Sequence, residues 1–197
     1  MRFSVMGMVG DVPFEEAVVR IVSQGFEVVL MDPGYVAGAG HLVSAVEHAE
    51  RAMANGTARS KTIQTEVILY AAWERQIGRA NDRMRPKDAA HGYAAVIIGE
   101  GDFDPASIGM SRDDSILDPT PEKAVSMGLC DPFLSPEDQA IENVAMVDLL
   151  KQRSKDLGCQ AFFTNLLSLL VFIRDDWSEP YIHLRFQIPL QGAAYRP

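Results

Sequence analysis

Residues 62–88, TIQTEVILYAAWERQIGRANDRMRPKD, constrain the chain more than any other stretch. Val67 to Trp73 is an unbroken apolar run. A helix that is apolar all round is buried on most sides, so this segment is expected at the centre of the fold. Ser60 or Thr62 caps its start, and Glu66 favours the positive N-terminal end. At Glu74 the character changes. Ile77, Ala80 and Met84 leave only a narrow apolar stripe, while Arg75, Arg79 and Arg83 recur every four residues and so project from one face. Pro86 stops the helix. The stretch reads as one rod, core at one end and a surface for anions at the other.

Charge supports that division. The chain carries a net charge of -9, which disfavours general attraction to nucleic acid. Yet residues 51–87 hold eight Lys/Arg against three acids, so this one segment is basic inside an acidic protein. Such a distribution points to a single directed contact with an anion; a solvated helix face is the bland alternative. With 197 residues and 47% apolar content, the chain suffices for one domain with a sizeable core. The N-terminus has one Arg, a short apolar stretch and acid where a cleavage site would lie, so it is not read as a signal peptide. The zone 158–173 is interrupted by Gln160, Thr164, Asn165 and Ser168, and is shorter than the ~20 residues of a spanning helix. The chain therefore reads as soluble and cytoplasmic, with no membrane partner.

Around the central stretch the pattern is α/β. Residues 2–9 read as a strand. Phe14, Ala17, Val18, Ile21 and Val22 form one stripe of a helix, with Asp11 as N-cap and Gly25 as C-cap. Residues 26–31 read as a second strand, so the chain is expected to open with a right-handed βαβ unit in a mixed sheet packed with helices. Leu42, Ala45, Val46, Ala49 and Met53 mark another helix, led by Gly38-Ala39-Gly40. That loop lacks the third glycine of a dinucleotide cradle and reads as a flexible lead-in. Residues 93–98 are a further buried strand, followed by an Asp-rich loop in which Asp102 and Asp104 lack the glycine and distal glutamate of a calcium loop. Residues 121–127 form a short helix. Ser135-Pro136-Glu137-Asp138 starts another, which runs to about Lys151. Beyond it, residues 157–177 read as an apolar helix, and residues 181–190 alternate as an edge strand that tolerates Pro189.

No residue pattern calls for catalysis. HExxH, CxxC, GxSxG and Walker signatures are all missing from the sequence. Cys130 and Cys159 fit neither a disulfide framework nor a zinc site, and Cys130 has no base beside it. His41 and His48 lie two helical turns apart and read as a surface pair without a third metal ligand. No catalytic residue, metal or cofactor is therefore expected.

Lys61-Thr62-Ile63-Gln64-Thr65-Glu66-Val67-Ile68-Leu69-Tyr70, followed by Glu74-Arg75-Gln76-Ile77-Gly78-Arg79-Ala80, resembles the PRPK-binding-protein family, the small regulatory subunit of the KEOPS complex. His41-Leu42-Val43-Ser44-Ala45-Val46, Val96-Ile97-Ile98 and the helix from Glu142 to Asp148 fall in the family's order. The resemblance covers roughly residues 1–150. It implies a non-catalytic subunit that binds the atypical kinase-like ATPase of KEOPS. That complex installs threonylcarbamoyl on the adenosine next to the anticodon of tRNA. The subunit is further expected to recruit tRNA by its single-stranded 3′ CCA end. Family members of archaeal type stop near residues 150–151, so residues 1–151 read as the family domain and 152–197 as a C-terminal extension.

A free RNA end offers phosphates and unstacked bases, which call for cations, amides and a planar or apolar surface. Lys61, Arg75, Gln76 and Arg79 supply the first two, and Ile77 the third if it is exposed. Arg59, Arg83 and Arg85 steer from the periphery. Trp73 reads as a core residue before a stacking platform. Two other readings use the same arginines: a protein–protein adaptor without RNA contact, in which they pair with the chain's own acids, and a small α/β enzyme that clamps an anionic metabolite in a deep pocket.

Overall fold

In the computed structural model, residues Met1–Lys155 form one compact unit. The structure describes residues 1–87 and 91–156. The readings of residues 157–197 as helix and strand lie outside the described residues.

The elements in order are strand β1 (Phe3–Val9), helix α1 (Phe14–Val22), strand β2 (Glu27–Met31), helices α2 (Ala39–Ala54), α3 (Ile63–Ala71) and α4 (Ile77–Met84), strands β3 (Gly92–Ile98) and β4 (Ser111–Arg112), and helices α5 (Pro121–Met127) and α6 (Pro136–Asp156). The expected α/β class and the strand–helix–strand opening are both present. The sheet itself has the order β2-β3-β1-β4, and every ladder is antiparallel. β1 and β2 run in the same direction but do not touch, because β3 lies between them. The reason is burial. β3 is apolar along its whole length and buried on both faces, so it takes the interior position and pairs on both edges.

Alternation along the strands divides the core. Met6, Met8, Leu30, Tyr93, Ala95 and Ile97 face α1 and its Ala17 and Ile21. Val29, Met31, Ala94, Val96 and Ile98 face the opposite way, onto Leu42 and Val46 of α2 and Val67 and Tyr70 of α3. Among the described residues no helix is long and apolar enough to cross a membrane.

Two expected caps differ. Pro13 precedes α1 and Ser23 follows it, while Asp11 instead meets His91, with Oδ1 2.7 Å from Nδ1. The Asp-rich loop is more structured than an acidic solvated loop. Asp104 and Asp113 each cap a 3₁₀ turn, and Asp114 accepts from Gly7 N (2.9 Å) and from Arg112.

Gly7 has a close-approach reason for being glycine. A Cβ there would lie 2.0 Å from Asp113 O and 2.7 Å from a side-chain carbon of Ile116. Backbone cannot yield as a side-chain tip does. Gly7→Ala is therefore expected to cost about 2 kcal/mol, seen as a lower urea midpoint with unchanged m-value.

Candidate functional site

The central stretch is not one rod. α3 ends at Ala71 and α4 begins at Ile77, and the five intervening residues form a loop. Trp73 makes the break. Its φ is 55°, and among the described residues it alone is non-glycine with positive φ. A bulky residue there is strained and persists only when its surroundings hold it. After the turn, Glu74 N donates back to Leu69 O (3.0 Å). No glycine or proline lies between Ala72 and Gln76, so the usual chain-breaking signals were missing.

The break redistributes the basic residues. Arg75 and Gln76 project from the loop, and Arg79 from α4. All three are exposed, as is Lys61 before α3. Ile77, at the first position of α4, is 43% exposed. Among the described residues Lys61, Arg75 and Arg79 form no ion pair.

The residues expected at the periphery are engaged differently. Arg85 pairs with Glu15 (3.2 Å) and lies over the Phe14 ring. Arg59 reaches Arg75 O at 3.4 Å, so it braces the loop from behind. Partial burial and the neighbouring Arg75 charge hold its guanidinium below its ordinary pKa. Arg83 is half-buried. It donates to Ala72 O (3.4 Å) and Met127 O (3.2 Å), and its guanidinium carbon lies 5.0 Å from the Trp73 ring centre. The face of three arginines at four-residue spacing is thus not formed: Arg75 lies outside α4, and Arg83 is turned inward.

Glu66 shapes the other flank. It is fully buried, and its Oε2 accepts from Arg59 N (3.0 Å) and Ser60 N (2.9 Å). The helix start is capped by Thr62, whose side chain accepts from Thr65 N. Glu66 therefore fixes the loop before α3, and that loop carries Lys61. A lone carboxylate at the head of an apolar run was the signal for this role.

The two histidines of α2 are not a surface pair. His41 is buried. Its Nδ1 accepts from Ala37 N (3.4 Å), and its Nε2 lies 3.1 Å from Ala71 O, which assigns the proton to Nε2. Burial, with Arg83 nearby, lowers its pKa to about 4. His48 Nδ1 lies 2.6 Å from Asp148 of α6, and Asp148 also accepts from Tyr70 of α3. Burial, then that hydrogen bond, pushes the Tyr70 phenol up. This Tyr70–Asp148–His48 group ties three helices together and had no signature in the sequence.

The Gly38–Gly40 lead-in has a packing reason. Glu137 of α6 accepts from Gly40 N (2.7 Å), and a Cβ on Gly38 would lie 2.2 Å from the same carboxylate oxygen. The chain's own carboxylate thus occupies the place that a phosphate cradle would offer.

One surface hollow is lined by Phe14, Leu30, Ile68, Asn81, Met84 and Arg85, and another lies beneath Phe133, beside Cys130 and Gln139; Arg75 borders neither. Among the described residues no group of three or more His, Cys, Asp or Glu is placed to hold a metal ion.

Fold and face together define a small α/β protein whose candidate site is a surface of exposed cations. The model of the family described as kinase binding protein CGI-121 matches residues 15–118, and the chain belongs to that family. The match runs from α1 to the 3₁₀ turn before α5, and so contains the whole basic face. Comparison with individual curated proteins returns no match.

Proposed function

We propose that this chain is a non-catalytic, kinase-binding subunit of the KEOPS complex, which modifies tRNA with threonylcarbamoyladenosine. In this reading it binds the atypical kinase-like ATPase in the cytoplasm and recruits tRNA through the 3′ CCA end. Family membership supports the kinase partner. One observation carries the RNA part: Lys61, Arg75 and Arg79 are exposed and form no ion pair among the described residues, and they flank the amide of Gln76 and the exposed Ile77. A single-stranded end needs that combination of charge, hydrogen bonding and apolar contact.

The adaptor reading without RNA would be favoured by arginines that pair with the chain's own acids. Arg85 is paired in this way, with Glu15, although both side chains stay exposed. The residues proposed to contact RNA are not so paired among the described residues.

The test is tRNA affinity at fixed salt, with intact and CCA-trimmed tRNA. Intact tRNA is expected to bind about tenfold more tightly than trimmed tRNA, and Arg75→Glu to remove that advantage, on the scale of one or two phosphate and base contacts. Equal affinity for the two tRNAs would sink the 3′-end reading. Co-purification of the kinase-like ATPase with both wild type and Arg75→Glu separates the kinase-binding role from the RNA role.

A further inference from the structure

We infer that Arg83 is a positioning residue for the RNA-receiving loop and not a phosphate contact. The inference rests on the RNA reading above and adds to it the device that holds residues 72–76 in shape.

Arg83 lies on α4, half-buried, with its guanidinium turned toward the chain. One nitrogen donates to Ala72 O, immediately before the strained residue, and another to Met127 O at the end of α5. The guanidinium plane also lies near two rings, 5.0 Å from the Trp73 centre and 5.8 Å from that of Tyr35. One side chain thus connects the α3–α4 loop to α5 and braces the ring of the residue with positive φ. Trp73 needs this brace. Its backbone is strained at φ 55°, and its indole Nε1 is buried without a hydrogen-bond partner among the described residues. An unpaired buried N–H and an unfavourable backbone both oppose the observed loop. The loop is held by what packs on it: His41 at 5.7 Å between ring centres on one side, and the Arg83 guanidinium over the ring. Arg75 and Gln76 follow Trp73 by two and three residues. Their direction is therefore set by this turn.

The chemistry demands arginine. A guanidinium forks between two carbonyls and stacks on an indole at the same time, and an ammonium cannot do all three. Met127 lies outside residues 15–118, so part of the brace comes from beyond the family-matched segment.

Salt dependence separates positioning from contact. Each phosphate contact to single-stranded RNA contributes about 0.7 to the slope of log affinity against log salt. Affinity for tRNA with an intact CCA end is measured at several salt concentrations for wild type, Arg75→Met, Arg83→Met and Arg83→Lys. Arg75→Met is expected to weaken binding and flatten the slope by about 0.7. Arg83→Met is expected to weaken binding by about tenfold with the slope unchanged, and Arg83→Lys to rescue none of the loss, as at a stacked bidentate site. Rescue by lysine, a flattened slope in Arg83→Met, or wild-type affinity in that variant overturns the inference. Should Arg83→Met not fold, Arg83→Gln keeps an uncharged donor for one of the two carbonyls. It is expected to lose affinity at unchanged slope, and wild-type affinity or a flattened slope there is equally fatal. An Arg75→Met variant that binds like wild type overturns the RNA reading itself, whereas contact-like behaviour at Arg83 alone overturns only the positioning role.

Discussion

Glu66→Ala is expected to destabilise the protein by about 4 kcal/mol, more than any other single change considered. Glu66 is fully buried, and one of its oxygens accepts two backbone N–H groups, from Arg59 and Ser60. Truncation leaves both N–H groups without their acceptor, at about 1–3 kcal/mol each, and also leaves a hole beside the apolar run of α3. For a domain of this size the melting temperature should fall by roughly 10 °C. The effect should reach the candidate site, because the two N–H groups belong to the loop that carries Lys61. Hydrogen exchange should therefore show residues 57–62 losing protection first. Thermal unfolding and exchange on the same variant check both parts. A loss below about 1 kcal/mol would mean that water replaces the carboxylate and the loop needs no anchor.

Acid sensitivity between pH 6.5 and 4 is the second large expectation, and it centres on His41. Burial lowers its pKa from the ordinary 6.5 to about 4. The unfolded chain then takes up the proton first as pH falls. The stability linked to His41 is fully present above pH 6.5, declines through the window, and is lost once pH passes below about 4. A depression of this size corresponds to about 3 kcal/mol. The structural cause is plain. The ring accepts from Ala37 N and donates to Ala71 O, so only the neutral tautomer satisfies both contacts. His41→Gln has no titration here, and its stability should change less across the window than that of wild type. Urea denaturation of both proteins at pH 7.5 and 4.5 gives the comparison. Parallel losses would assign the acid sensitivity to the carboxylates.

Both residues sit under the surface they influence. His41 hydrogen-bonds the end of α3 and its ring lies against Trp73; Glu66 holds the loop before α3. Lys61 and Arg75 are thus presented by two loops, each anchored by a buried ionisable group. A partner that reads Lys61 and Arg75 reads a geometry set by Glu66, His41 and Arg83.

Much of the architecture was legible from spacing alone. The stripe of α1, the apolar strands, the short α5 and the Ser135-Pro136 start of α6 all follow from local chemistry. Strand order was not legible. That β3 separates β1 from β2 depends on which strand best tolerates burial on both faces, and this is a comparison between distant segments. The helix break at Trp73 was also missed, since no glycine or proline announced it. The strain is sustained by Arg83 and His41, which lie about ten and thirty residues away in sequence.

By itself the sequence determined the apolar character of α3, the concentration of cations in residues 51–87 and the family likeness, because these depend only on composition and local order. Tertiary structure alone decided which cations remain available. Arg85 lies within reach of Glu15, and Arg83 within reach of two carbonyls and an indole, while Lys61, Arg75 and Arg79 stay exposed. Whether a charge is free or spent depends on what the fold brings within about 4 Å of it, a distance to which separation along the chain is no guide.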